Sequence, residues 1–475
     1  MNQKINNFLV KNHNGKIMKI KLYIFLRSTF SWYILILALC LYSCNGNTLT
    51  QSNKPLTFNK IQHLAELADT TQSYELYLPM WFNNKKEYPV IFMFDPHGSG
   101  ILAVENGKEA AERYGYILVG SNNSKNGIQN LTAITEALFN DVLKRYPVDE
   151  SRIYVAGFSG GGRVASSLAL SSGKVRGIIT CSAGLPGFDP FTAPRKFEIY
   201  ATAGKHDFNY YEVAAISKQL DQTDWRYLVT SFDGGHTWPP VSFINEAVAW
   251  FNINAMRNKL IPTDKQFLRQ IHDHILMKTE QYLTSGQFIS AANGCSNGIA
   301  ELDGLYNIKM LWKKLESIQT MEEYGLEKQK AEKVKFTEMK LRDAYMQNLT
   351  SQGVTWWTNE ITSLKDRITH EKDSLNRQMY SRVKGFLGIV CYSYTARAIN
   401  SGDYLTAEKC LEVYQLAEPK NPDCYFFKSL LFDKQNRVKE ASESLSIALK
   451  LGFYDSSKMK ELSAKTVKAA KIINQ

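Results

Sequence analysis

Cysteine is scarce, with seven in 475 residues, and none of them stand at metal-site spacing. A structural zinc site and a disulfide scaffold are both excluded as what holds the fold, so an ordinary apolar core must do it. Proline is also sparse: after Pro262 only Pro419 and Pro422 remain, and so few helix breakers suit long helices. The apolar run Trp32–Tyr42 is shorter than the roughly 20 residues a membrane-spanning helix needs. Acidic residues are absent from positions 1–43, where Lys4, Lys11, Lys16, Lys19, Lys21 and Arg27 supply six of the net eleven positive charges. The excess of five that remains is spread among glutamates on helical stretches, which describes solvated faces and no nucleic-acid surface.

What is present is the composition of a globular chain, 44% apolar and 22% charged, with enough core-forming residues to offset chain entropy. The length predicts two or three units. A basic segment followed by Trp32–Tyr42 reads as the n-region and h-region of a signal peptide over residues 1–43. Met18, closer to the apolar run, is the expected start. Leu41-Tyr42-Ser43-Cys44, with Asn45-Gly46-Asn47-Thr48 behind it, resembles a bacterial lipobox. That resemblance implies lipidation at Cys44 and a membrane-anchored protein of a Gram-negative cell envelope. Cys181, Cys295, Cys391, Cys410 and Cys424 then remain, an odd set that leaves at least one free thiol.

A polar linker over 44–54 leads into residues 55–255, where apolar β-rich runs alternate with helical patterns, the signature of a mostly parallel, doubly wound α/β sheet. Strands are expected over Val90–Phe94, Tyr116–Gly120, Arg152–Gly157, Val175–Cys181, Phe197–Ala201 and Arg226–Ser231. Helices are expected over Leu131–Tyr146, Gly161–Ser171 and Tyr211–Leu220. From 256 to 475 the β-branched runs vanish and the chain reads as all-α. Ala407 and Leu411 recur 34 residues later as Ala441 and Leu445, with Ala448 in the place of Tyr414. Ser401–Ala407 is echoed by Ser285–Ala291. Thirty-four is the period of tetratricopeptide helix pairs, which this region resembles most clearly over 388–455. Stacked pairs of that kind bury a shared face and can dock a protein partner.

The chemistry is concentrated in four short segments. Gly157-Phe158-Ser159-Gly160-Gly161 lies between an expected strand and an expected helix, the context a nucleophile elbow requires. A serine hydroxyl is a poor nucleophile at neutral pH and needs a histidine base oriented by a carboxylate. In this fold the acid and then the histidine follow the serine in the chain. Asp207 follows one strand and His236 the next, and catalytic groups in open α/β sheets gather beyond the carboxyl ends of strands. Asp233 is a rival acid, although it shares a loop with His236, and His206 is read as a surface or supporting residue. Pro96-His97-Gly98-Ser99-Gly100 follows the Val90–Phe94 strand. Backbone N–H groups of Gly98 or Ser99, with that of Gly160, are the expected oxyanion donors. His272 and His274 lack helical ligand spacing, and neither a metal nor a cofactor is expected.

Ser159 in GFSGG, Asp207 after a strand and the string Gly234-Gly235-His236-Thr237-Trp238-Pro239-Pro240 resemble the group that includes feruloyl and acetylxylan esterases and poly(3-hydroxybutyrate) depolymerases. The resemblance covers roughly residues 70–255. It implies a serine esterase working through an acyl-enzyme on ester-bearing small molecules or glycans. The Asp95-Pro96-His97-Gly98-Ser99 turn departs from that group's leucine–histidine–glycine form. Only Ser182–Lys196 separates the strand after the elbow from the strand before Asp207, too little for an inserted lid. An open cleft is therefore expected, with Phe158, Tyr210, Tyr211 and Trp238 as substrate-contact candidates. Two other classes stay open at this stage: a catalytically idle hydrolase fold serving as a binding scaffold, and a serine peptidase.

Overall fold

The computed structural model describes residues 9–11, 17–19 and 57–474, except 186, 188, 191, 192 and 194. The chain forms two compact units, residues 1–55 and 56–475. In the first, strands β1 (Leu9–Lys11) and β2 (Ile17–Lys19) pair antiparallel, Val10 opposite Met18. The expected h-region Trp32–Tyr42, the lipidation site Cys44 and the linker 44–54 lie outside the described residues. Among the described residues no helix is long and apolar enough to cross a membrane.

The second unit is built on an eight-stranded sheet. Its strands are β3 (Ile61–Ala65), β4 (Ser73–Tyr77), β5 (Tyr88–Phe94), β6 (Ile117–Ser121), β7 (Val148–Phe158), β8 (Gly177–Cys181), β9 (Glu198–Gly204) and β10 (Arg226–Phe232), in the order β10-β9-β8-β7-β5-β6-β4-β3. Pairing is parallel from β10 to β6 and antiparallel from β6 through β4 to β3. All six expected strands are present. β3 and β4 add the antiparallel edge. The string IQHLA in β3 is short and half-exposed, so it lacks the apolar density that marked the central strands.

Helices cover both faces. Side chains alternate across a strand, so Val90, Phe92 and Phe94 enter one core while Ile91 and Met93 enter the other. The first core is closed by α2 (Leu131–Arg145), α3 (Gly160–Ser172) and α4 (Tyr210–Leu220), through residues such as Leu138, Leu168 and Ile216. The second is closed by α1 (Gly100–Tyr114) and α5 (Val241–Arg257), through Val104, Ala111, Val248 and Trp250. The α1 helix, which the apolar pattern did not announce, carries Gly107 against Met93 and Leu118 and starts at Gly100.

From Lys265 onward the described chain is helical: α6 (Lys265–Thr284), α7 (Phe288–Leu302), α8 (Lys309–Gln319), α9 (Glu322–Asn348), α10 (Val354–His370), α11 (Ser374–Ser401), α12 (Tyr404–Ala417), α13 (Pro422–Lys434), α14 (Val438–Lys450), α15 (Ser456–Met459) and α16 (Ala464–Ile473). Three junctions share one geometry, a left-handed residue two positions before the next helix begins. Gly286, Gly402 and Asn436 each take a left-handed conformation (φ 67°, 78° and 59°) between consecutive helices, which glycine and asparagine accept most easily. Ala407 and Leu411 on α12, and Ala441 and Leu445 on α14, are all buried. Cys181, Cys295, Cys391, Cys410 and Cys424 are buried and unbridged.

The elbow is the tightest point of the sheet. A Cβ added to Gly161 would lie 2.0 Å from the Phe94 carbonyl oxygen, and one added to Gly157 would lie 2.1 Å from the Gly161 carbonyl oxygen. Both obstacles are backbone and cannot swing aside. Gly161→Ala is therefore expected to destabilise the protein by about 1–3 kcal/mol through overpacking, measured as a lowered urea midpoint at unchanged slope.

Candidate active site

Ser159 closes β7 and caps α3 at φ 52° and ψ −120°, a conformation that non-glycine residues rarely adopt. Its N–H is anchored to the Cys181 carbonyl at 2.8 Å. This strained turn aims Oγ away from the helix and at the imidazole of His236, whose Nε2 lies 2.9 Å away. His236 Nδ1 lies 2.9 Å from Asp207 Oδ1. Asp207 is fully buried, and Oδ1 also accepts the Asn209 N–H at 2.8 Å. With Asp207 accepting at Nδ1, that nitrogen carries the proton and Nε2 presents a lone pair to Ser159.

The loops bearing the acid and the histidine extend the β9–β10 ladder. Lys205 N–H donates to the Phe232 carbonyl at 2.8 Å and His206 N–H to the Gly234 carbonyl at 2.9 Å. Gly204 permits the approach, since a Cβ there would lie 2.2 Å from the Gly234 oxygen. The rival acid Asp233 turns outward and pairs with His206 at 3.2 Å. On the other flank, Glu212 of α4 accepts the Gly184 N–H and the Arg163 guanidinium of α3, each at 3.0 Å, and so ties the elbow helix to the helix behind the acid.

The oxyanion candidates divide. Gly98, at φ 71°, gives its N–H to the Asp95 carbonyl at 3.0 Å, so its donor is consumed by the turn and the expectation for Gly98 is corrected. The Ser99 and Gly160 N–H groups have no acceptor among the described residues, Gly160 being the first residue of α3, where helical N–H groups are unpaired. Asn126 closes over Gly160, with Oδ1 1.8 Å from where a Cβ would sit.

Asp95 gives the departure from the leucine–histidine–glycine form a structural use. Its Oδ1 accepts the His97 N–H at 2.8 Å and its Oδ2 accepts the Trp238 indole N–H at 2.8 Å. One buried carboxylate thus joins the oxyanion turn to the histidine loop. Burial works to raise the Asp95 pKa, but the hydrogen bonds from His97 and Trp238 outweigh it and hold the pKa below the ordinary carboxylate value. The His97 pKa is raised, chiefly by its hydrogen bond to Asp95.

The four aromatic candidates have different surroundings. Phe158 packs on His236 with ring centroids 4.8 Å apart and reaches Trp238 at 5.9 Å. Tyr210 and Tyr211 lie under the Arg382 guanidinium at 5.2 and 5.0 Å, so they meet α11 and not an open cleft. The expected open rim meets cover on one side. Between β8 and β9 no helix or strand stands among the described residues, yet α9 and α11 pack against the acid loop, and Lys125 beside the oxyanion turn pairs with Asp455 at 3.2 Å. Sequence reasoning missed Asp95, Phe208, Glu338, Arg342 and Arg382. Of these only Asp95 carried a local signal, as the residue at which the oxyanion turn departs from the resembling group.

No family model matches the chain, and no curated protein matches it. Solved structures similar to part of it include the fluorophosphonate-binding serine hydrolase FphF of Staphylococcus aureus, at 15% identity over 40% of this chain and 97% of that one, TM-score 0.33. A ferulic acid esterase is 18% identical over 40% and 96%, TM-score 0.34. A dienelactone hydrolase-like promiscuous phosphotriesterase from metagenomic libraries is 13% identical over 41% and 96%, TM-score 0.34.

The lowered pKa fixes the sign of a pH effect. A carboxylate whose folded pKa is depressed stabilises the fold above its unfolded value, near 3.9, and that contribution is lost as pH falls through the folded value. Asp95→Asn is expected to cost about 1.5–3 kcal/mol at pH 7. In urea titrations the gap to wild type should narrow as pH is lowered towards 3, and a gap independent of pH would remove the Asp95 charge from the account.

Proposed function

We propose that the chain is a serine hydrolase of carboxylic esters, with Ser159 as nucleophile, His236 as general base and acid, and Asp207 as the carboxylate that orients the imidazole. The observation that carries this reading is the unbroken relay from Ser159 Oγ through both ring nitrogens of His236 to the buried Asp207. Aligned hydroxyl, imidazole and carboxylate groups have one well-defined use: to make a serine nucleophilic at neutral pH.

The steps follow from the positions. Nε2 accepts the Oγ proton as Oγ attacks the ester carbonyl, and Asp207 steadies the imidazolium that results. Charge on the former carbonyl oxygen meets the free N–H groups of Ser99 and Gly160. Losing one such donor costs about 3–4 kcal/mol in transition-state stabilisation. His236 then protonates the departing alcohol, and the acyl group remains on Ser159 until a water, deprotonated by the same Nε2, releases it.

The proposed substrates are acetyl or feruloyl esters on glycans or small ester-bearing fragments, with the partly exposed Trp238 beside the reacting carbonyl. The packing of Trp238 on Phe158, which is itself buried in the core and so corrected as a substrate contact, supports this. Export and anchoring through a lipid on Cys44, at the cell envelope of a Gram-negative bacterium, belong to the same proposal and are supported by the basic and apolar leader sequence. The 34-residue spacing supports reading α12 to α14 as tetratricopeptide-like, with the surface turned away from the sheet offered to a protein partner.

Purified protein is expected to hydrolyse p-nitrophenyl acetate and methyl ferulate and to bind one equivalent of a fluorophosphonate. Ser159→Ala should lose the labelling entirely, and Asp207→Asn should lower kcat about 10⁴-fold. Wild-type protein inert to the fluorophosphonate is the result expected of an idle scaffold. Cleavage of peptides in preference to esters would mark a peptidase.

A further inference from the structure

Asp207 is bracketed by two main-chain carbonyls that are held from outside the sheet. Arg382 Nη1 donates to the Lys205 carbonyl at 2.7 Å, and Arg342 Nη2 donates to the Phe208 carbonyl at 3.0 Å. Both guanidiniums share one carboxylate: Glu338 Oε1 accepts Arg342 at 2.6 Å, and Oε2 accepts Arg382 Nε at 2.8 Å. Glu338 and Arg382 are 1% and 3% exposed. Burying such a triad is expensive unless its remaining donors are also satisfied. An ion pair serving only to join α9 to α11 could stop at Glu338. Here each arginine continues to a carbonyl within two residues of Asp207.

A second contact reaches the same loop. The Phe208 ring lies over the His236 imidazole, centroids 4.2 Å apart. Behind Phe208 is α11 at Gly385, where a Cβ would come within 3.1 Å of Phe208 Cδ1. Arg382 and Gly385 are three residues apart and therefore share a helix face. One side of α11 thus presents to the acid loop a cation that holds its backbone and a bare backbone on which its aromatic ring rests.

We propose that the helical half is a working part of the active site: Arg382, Arg342 and Glu338 are positioning residues that hold the acid loop. Gly385 sets how deeply Phe208 presses on His236, and together these contacts keep Asp207 and His236 in register with Ser159. This rests on the hydrolase reading above. It goes further in giving the C-terminal helices a role in turnover, separate from any partner they dock. A displacement of about 1 Å in such a relay costs on the order of 100-fold in rate, so small losses of grip become measurable.

The test uses the full chain with p-nitrophenyl acetate as substrate, together with proton NMR of the low-field resonance of the His236 Nδ1–H bonded to Asp207. Arg382→Met should lower kcat about 10- to 100-fold with KM changed less than twofold, and should broaden or shift that resonance. Arg382→Lys, which keeps a cation able to reach one carbonyl, should recover part of the loss. Gly385→Val removes no charge and should reproduce the fall in kcat by driving Phe208 against His236; if Arg382→Met does not fold, this variant decides alone. Folded Arg382→Met and Gly385→Val proteins with kcat within twofold of wild type and an unmoved resonance would overturn the proposal. Failure of the hydrolase reading is recognised separately, because wild type itself would then neither turn over the ester nor react with a fluorophosphonate, and the positioning role would fall with it.

Discussion

Ser159 occupies a backbone conformation that costs on the order of 1–3 kcal/mol for a residue with a side chain, and the sheet is organised to hold it there. β7 delivers the chain to the turn, α3 takes it away, and glycines at 157 and 161 let the two pass the Phe94 carbonyl without a side chain between them. The Cys181 carbonyl anchors the Ser159 N–H. Relaxing the turn would move Oγ off the line to Nε2, so the strain is the means by which the hydroxyl reaches the His236 imidazole.

The remaining parts of the site are fixed by different forces. Asp207 and His236 are kept together by backbone hydrogen bonds that extend the β9–β10 ladder past the sheet edge. The oxyanion turn and the histidine loop are joined by a single carboxylate, Asp95. The acid loop is also held by an ionic triad of which Glu338 and Arg382 are buried and Arg342 is partly exposed, and removing one partner of the buried pair strands a charge at a cost of about 3–5 kcal/mol. Ladder, carboxylate bridge and ionic clamp each hold a segment that carries or adjoins Asp207 or His236.

Much of this was legible in the sequence because it is local. An apolar run followed by a loop residue of the right chemistry marks a strand end and a candidate group together, and Ser159, Asp207 and His236 each follow that form. The edge strand β3 was missed because the half-exposed string IQHLA lacks the apolar density of a buried strand, and its neighbour β4 because SYELY, although largely buried, is short and interrupted by Glu75. Tyr210 and Tyr211 were misjudged for a related reason: adjacency to Asp207 in the chain says nothing of direction, and as the first residues of α4 they turn towards Arg382. The open rim was inferred from the short β8–β9 connection, an argument blind to cover arriving from elsewhere in the chain. Arg342 and Arg382 lie 134 and 177 residues from the carbonyls they hold, and no local pattern announces a partner at that separation.

The two arginines grip carbonyl oxygens, which every amino acid supplies in the same way. Any residue at 205 or 208 would offer the same backbone acceptor, although the ring at Phe208 is also spent on His236, whereas the guanidiniums that reach these carbonyls have no equivalent replacement. Among related chains, change should therefore fall unevenly: the segment next to the acid is free to diversify on its outer face, while distant positions on two helices are held to one residue type. A survey confined to the neighbourhood of Ser159 would overlook the most constrained of them.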